Sequence, residues 1–330
     1  MYVSVVMPTH NRQGYVGQAI ESVLKQQHVE FELIIVDDAS TDGTLDVIDR
    51  YARHDHRITV AQHAENKGLA VSLNEGLELA KHDLVARMDD DDVMLPTRLQ
   101  RQIEFMDANR DVSVTSSWAY LIDESSKIIG RSCPEVDLER GKARLRPELF
   151  LELIHPATMY QRGDILKVGG YKITALGFYE QGRHSPSSPI YFPEDRDLWG
   201  RLVTAGYKIA VQPEFLMYQR RHSHSLTTTD LNKLFEFGDF IDFNVVRRLC
   251  GGDELTFEQY SSYVESLPFS MRLAGTRKRR SGIAFRLATM YYSTRDWLPF
   301  AGNLALAMAL EPLGTAKRIR KKYTFNKYKI

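Results

Sequence analysis

The first hundred residues switch repeatedly between two hydrophobic periods. Short runs rich in β-branched residues stand at 3–7, 32–36, 58–61 and 84–88. Between them apolar residues recur at helical spacing: Val16, Ala19, Ile20, Val23 and Leu24, then Leu45, Ile48, Tyr51 and Ala52, then Leu69, Leu73, Leu77 and Ala80. The order reads βαβαβαβ. One helix and two short loops between successive strands suit a parallel crossover, so a mostly parallel, Rossmann-like α/β sheet with helices on both faces is expected. Ligands of such sheets bind beyond the carboxyl ends of the strands, and chemistry is expected there.

Further on, Pro96 stands where a helix would begin, and Leu99, Ile103 and Met106 carry an apolar stripe to about residue 110. Another strand is expected at 112–118. Residues 177–193, which include GFYEQGRHSPSSP, read as a long exposed loop of the kind that covers sites. A helix is expected from Glu194, with Leu198, Leu202 and Val203 apolar, and from 229 the period is mainly helical. The chain is thus expected to divide near 230, into an α/β part (1–230) and a C-terminal helical extension (231–330). With 43% hydrophobic and 10% aromatic residues among 330, it has material for real cores, which excludes a disordered chain. Cys133 and Cys250 lie outside any CxxC pair, excluding a disulfide framework and cysteine zinc sites. Pro8 ends the first apolar run and no basic segment precedes it, so a cytoplasmic protein is expected. The apolar stretch 297–313 is broken by Pro299, Asn303, Glu311 and Pro312 and falls short of the roughly 20 residues of a membrane span.

Two acidic groups fall at predicted strand ends. Asp37 and Asp38 close the second run ahead of STDGT, where carboxylates either accept hydrogen bonds from a base or ribose or cap the following turn. Asp89, Asp90, Asp91 and Asp92 close the fourth. Four acids against a buried strand repel one another unless a divalent cation neutralises them, and Mg²⁺ or Mn²⁺ needs only one or two carboxylates besides phosphate and water.

VVMPTHNR, VDDASTDGT, NKGLAVSLNEGL, ARMDDDDVMLP and PEDRDLWGRL, in this order and spacing over about residues 1–225, resemble a family 2 glycosyltransferase of the GT-A fold. The resemblance implies an inverting, metal-dependent enzyme that takes a sugar from a nucleotide-sugar donor, UDP-sugar first among the candidates. The acceptor would be a saccharide or lipid-linked hydroxyl, in cell-surface polysaccharide or glycan synthesis. It implies a nucleotide-sugar half at 1–110 and an acceptor side at 111–230. Thr9, Asn11, Arg12, Asp37, Asp38, Lys67, Asn74, Asp89 and Asp90 would face the donor. Asp91 and Asp89 would hold the metal, Mn²⁺ or Mg²⁺, with His222 or His224 nearby, and Asp92 would serve the following turn. Where some relatives carry a basic residue before the asparagine, this chain has Leu73, so Lys67 or Arg12 would supply that contact. Glu194 and Asp195 match the pair that supplies the catalytic base, with Asp195 kept ionised by the helix N-terminus and its proton affinity raised by Glu194. His155 and Trp199 would face the acceptor, although Trp199 also fits a core position.

A dehydrogenase is excluded by the absence of GxGxxG after the first strand, where MPTHNRQG stands. A sugar-nucleotide pyrophosphorylase would need a Gly-rich basic loop that is missing near the N-terminus. A donor-binding scaffold without activity has no need of acids at 37, 38, 89, 91 and 195. The charge balance of zero hides an asymmetry: residues 231–330 hold 17 basic and 9 acidic side chains. Such a tail suits peripheral contact with an anionic membrane, or equally a solvated face packed on the acidic part of the chain. No nucleic-acid partner is expected.

Overall fold

The computed structural model describes residues 2–134, 153–172, 193–221, 231–294 and 296–324. These fall into two compact units, one built from the described residues up to 172 and from 194 to 221, the other from Pro193 and those beyond 230.

The first unit opens with β1 (Tyr2–Thr9), α1 (Val16–Leu24), β2 (Glu30–Asp37), α2 (Thr44–Ala52), β3 (Ile58–Gln62), α3 (Leu69–Leu79) and β4 (Leu84–Arg87). The four strands pair in parallel in the order β3-β2-β1-β4. Their alternation feeds two cores. Val3, Val5, Met7, Leu33 and Ile35 meet α1 and α2 on one face, while Val6, Ile34 and Val36 meet α3 on the other. Burial on both faces explains why the runs are almost continuously apolar. Each such side chain contributes about 1.5–3 kcal/mol. The contact on the second face is close enough to need glycine: a Cβ on Gly76 of α3 would lie 2.3 Å from Val6 Cγ1.

β5 (Val93–Met94), α4 (Arg98–Ala108), β6 (Val112–Ile122), β7 (Ile128–Ser132), β8 (Met159–Gln161), α5 (Arg162–Lys167), α6 (Glu194–Thr204) and β9 (Lys208–Arg220) follow. The expected helix after Pro96 and the helix from Glu194 are α4 and α6, and the strand expected at 112–118 runs on to Ile122. β8 lies antiparallel between β4 and β6, β9 runs parallel to β6, and β5 lies antiparallel on β9, giving the order β3-β2-β1-β4-β8-β6-β9-β5 with β7 on β6. The loop expected at 177–193 lies outside the described residues except for Pro193.

The second unit comprises α7 (Leu231–Leu249), α8 (Phe257–Ser266), α9 (Phe269–Thr294), α10 (Trp297–Leu310) and α11 (Pro312–Thr324). Phe237 and Phe240 of α7 pack on Phe257 and Tyr260 of α8, whose start is fixed by a capping box between Thr256 and Gln259. Among the described residues no helix is long and apolar enough to cross a membrane.

Candidate functional site

Parallel pairing sets the ends of β1, β2 and β4 side by side, with Thr9 opposite Asp37 and Val6 opposite Arg87. Asp37 is fully buried. Its Oδ2 accepts the Ser40 N–H at 3.3 Å, while Oδ1 has no partner among the described residues. A buried acceptor in that state is costly until a ligand or water donates to it. Asp38 instead ties down its own chain, accepting the N–H groups of Lys67 (2.7 Å) and Gly68 (2.8 Å). His63 bridges Asp38 and Glu75, with Nδ1 2.7 Å from Asp38 Oδ1 and Nε2 2.6 Å from Glu75 Oε2. Burial opposes a charge on this ring, but the two carboxylates outweigh it and raise its proton affinity.

Asn11 and Ala39 hold left-handed backbone at φ +53° and +57°, so strain collects in the two loops that follow β1 and β2. The Asn11 amide oxygen accepts the Thr41 N–H at 2.8 Å and joins these loops. Asn74 is similarly engaged: its amide donates to the Tyr171 carbonyl (2.7 Å) and accepts the Tyr171 N–H (2.8 Å). Both asparagines, expected beside the donor, spend these bonds on the chain itself. The Lys67 side chain is exposed.

The acidic segment begins just past β4. Carboxylate oxygens of Asp89, Asp91 and Asp92 lie within 4.8 Å of one another. Asp92, expected to serve only the turn, belongs to this group: it is buried, Oδ1 accepts the Arg220 N–H at 2.7 Å, and Oδ2 has no partner among the described residues. Burial, with the charges of Asp89 and Asp91, raises Asp92 well above the usual carboxylate range. Asp89 is raised by burial and partly held down by Arg87, whose Nη2 lies 2.5 Å from it. Asp90 stands outside the trio, and burial with the charge of Asp91 pushes it up to about 7. Arg12 Nε lies 3.6 Å from Asp90 and 3.8 Å from Asp91. Three hard oxygen donors, one carrying an orphaned oxygen, and their mutual repulsion fit a divalent cation such as Mn²⁺ or Mg²⁺. His222 and His224, expected near the metal, lie outside the described residues.

Helix α6 brings the second acidic pair. Leu198, Trp199 and Leu202 anchor it in the core, and Arg201 ties it to the Gly169–Gly170 turn, whose residues sit at φ +88° and +63°. Glu194 and Asp195 stand in its first turn. Burial raises Asp195 despite the Arg196 N–H at 2.7 Å, so desolvation outweighs the helix end that was expected to keep it ionised. The repulsion expected between the two carboxylates is mutual and acts on Glu194 as well. Burial and the charge of Asp195 push Glu194 up to about 8. His155 Nδ1 is 3.6 Å from Glu194 and Nε2 is 2.9 Å from the Tyr171 hydroxyl. Burial and the Arg87 charge hold its pKa well below the usual range, so the ring is neutral. Trp199 is 1% exposed and meets His155 edge-on, a core position that presents no face for a sugar to stack on.

Three arginines that the motifs did not single out organise the site. Arg87 is buried between Asp89 and the α6 acids, and its charge acts on Glu194, Asp195 and His155. Arg220 holds the acidic segment from β9, donating to the Asp91 carbonyl (2.8 Å), the Asp123 carbonyl (2.8 Å) and Gln18 Oε1 (2.7 Å). Arg98 donates to the Arg87 and Thr158 carbonyls from full burial, which lowers its pKa to about 9. A basic residue inside an otherwise apolar strand, as at position 87, was the one available signal.

The family model described as Glycosyl transferase family 2 matches residues 4–169. An uncharacterized glycosyltransferase of Methanocaldococcus jannaschii is 30% identical over 241 residues, spanning 71% of this chain and 77% of its own. Two solved structures share the GT-A fold with this chain. Staphylococcus aureus TarS, residues 1–349, solved with UDP-GlcNAc, aligns with a TM-score of 0.55 at 18% identity, covering 94% of this chain and 91% of that one. The mannosyltransferase PcManGT of Pyrobaculum calidifontis, solved with GDP-Man and Mn²⁺, aligns with a TM-score of 0.54 at 16% identity, covering 99% and 81%.

Proposed function

This chain belongs to glycosyl transferase family 2, and from that premise we propose that it transfers a sugar from a nucleoside diphosphate donor, a UDP-sugar in the first instance, to a hydroxyl group, with inversion at the anomeric carbon. The observation that carries the reading is the convergence, at one sheet edge, of the orphaned Asp37 oxygen, the Asp89, Asp91 and Asp92 trio and the Glu194 and Asp195 pair, with Arg87 between the last two groups. TarS bound to UDP-GlcNAc and the mannosyltransferase bound to GDP-Man and Mn²⁺ support a nucleotide-sugar donor and a metal.

In this reading Thr9 and Asp37 receive the nucleoside, with Asp38 holding the adjoining loop in place. Asp89, Asp91 and Asp92 would hold Mn²⁺ or Mg²⁺, which when bound would offset the negative charge of the leaving diphosphate. Asp195 is the base. Its Oδ1 is engaged by the Arg196 N–H, so Oδ2 takes the proton from the acceptor hydroxyl while that oxygen attacks from the face opposite the diphosphate. Glu194, raised to about 8, is mostly protonated at neutral pH and leaves the charge of the pair on Asp195. The acceptor is a saccharide or lipid-linked hydroxyl in cell-surface glycan synthesis, and the basic helices of the second unit suit peripheral contact with an anionic cytoplasmic membrane face.

The test is nucleotide release from a panel of UDP-, dTDP- and GDP-sugars with Mn²⁺ and after chelation. One donor should be consumed only with metal, and Asp91→Ala should lose that activity with its fold intact, because removing one like charge relieves repulsion in the trio. Full activity after chelation would overturn the metal assignment.

A further inference from the structure

Helices α9, α10 and α11 together carry eleven basic and no acidic residues, and α10 carries no charge at all. The three are locked at one point. Ser281 of α9 and Thr315 of α11 both donate to the Ala307 carbonyl of α10, at 3.0 and 2.9 Å, and their hydroxyls lie 3.1 Å apart. Ala307 is fully buried there, which fixes the face that α10 turns inward. At about 100° per residue, Leu298, Ala301, Ala305, Leu306 and Met308 fall together on the other half of its circumference, with Trp297 at the edge of that half. All six are exposed, Leu298 at 86% and Trp297 at 56%. At the start of α10, Trp297 and half-exposed Tyr292 meet edge-on with ring centroids 5.8 Å apart. At its other end Arg277 donates to the Leu310 carbonyl, placing the exposed Lys278 and Arg280 in the same neighbourhood.

We propose that α10 lies in the plane of an anionic membrane surface, with its uncharged face in the headgroup and acyl boundary and exposed basic residues such as Lys278, Arg280 and Lys317 on lipid phosphates. The proposal deepens the peripheral contact put forward above and rests on it. Charge chooses the occupant. Arg279 and Arg318 are paired with Glu236, Asp239 and Glu311, but a second copy would still bring exposed Lys278, Arg280 and Lys317 toward like charges, whereas an anionic bilayer supplies both the apolar phase and the counter-charge. Fourteen residues are too few to span a bilayer, so the helix lies along it. An aromatic ring at one end suits the interfacial depth, where Trp and Tyr sit with one edge apolar and one wet.

The experiment is sedimentation of the full chain with vesicles of phosphatidylcholine alone and of equal parts phosphatidylcholine and phosphatidylglycerol, at low and high salt. Binding is expected only to the anionic vesicles. Leu298→Asp with Leu306→Asp should weaken it tenfold or more while leaving circular dichroism and nucleotide-sugar turnover in solution unchanged. Lipids brominated on the acyl chain should quench Trp297, read as the difference between wild type and Trp297→Phe. No binding of wild type to anionic vesicles would overturn the peripheral contact itself. Binding that survives the double substitution, with no Trp297 quenching, would leave that contact standing as purely electrostatic and overturn the inserted helix. Dimers in light scattering that the same substitution dissolves would assign the face to a second copy and overturn it as well.

Discussion

Replacing Arg220 by methionine keeps the aliphatic stem and removes the guanidinium that joins four segments of the first unit. The side chain is 4% exposed and makes five hydrogen bonds, of which those to the Asp91 carbonyl, the Asp123 carbonyl and Gln18 Oε1 are short, and it lies 4.9 Å from the Tyr15 ring. The acceptors at Asp123, Glu124 and Ser126 sit near the surface and can turn to water, so they contribute little to the loss. The two remaining partners are left short of a charged donor, at about 1–2 kcal/mol each, giving a loss of about 3 kcal/mol. For a unit of this size that lowers Tm by about 6–12 °C. The backbone N–H of residue 220 still reaches Asp92, so the trio should loosen rather than disperse, and the rise in Tm on adding Mn²⁺ should shrink. Differential scanning calorimetry of wild type, Arg220→Met and Arg220→Lys, with and without Mn²⁺, reads both effects. Lysine offers a point charge in place of a fork and should recover only part of the loss. A Tm within about 2 °C of wild type, with an unchanged response to Mn²⁺, would show that the acidic segment is held by something other than Arg220.

Gly76→Ala forces a Cβ to 2.3 Å from Val6 Cγ1 and should cost about 1–3 kcal/mol in chemical denaturation, despite the better helix propensity of alanine; a stabilised protein would contradict the α3–β1 packing. His63 has a folded pKa above its ordinary 6.5, so its contribution to stability is complete below that value and fades as pH rises through the folded one. Glu75→Gln should move the His63 titration seen by NMR to lower pH and shift the stability loss with it, and an unmoved titration would remove Glu75 from the bridge.

β1 to β4 and their helices are legible in the sequence within a residue or two because β1 and β2 are buried along almost their whole length, β3 and β4 in part, and each helix on one face, which imprints period on composition. Chemistry at the carboxyl edge follows from parallel pairing alone. β5, β8 and β9 had no such imprint. Two of them are two or three residues long and are defined by their neighbours, β5 by β9 and β8 by β4 and β6. Without β9 there was no reason to bring Arg220 to the acidic segment, nor to see Asp92 as part of a trio. The bonds that Asn11 and Asn74 make to Thr41 and Tyr171 were not legible either, because they join segments that only the fold brings together. That burial raises the proton affinity of Asp195 was not legible, because a helix end is visible in sequence and desolvation is not.

Asp195→Asn tests the central claim most directly, since asparagine keeps the size and the Arg196 N–H contact but cannot take a proton. The measurement is single-turnover transfer from the donor selected by the panel, together with the Kd of that donor in the presence of Mn²⁺. Transfer about 100-fold or more slower with an unchanged donor Kd is expected. Transfer near the wild-type rate would contradict the assignment and move the base to Glu194.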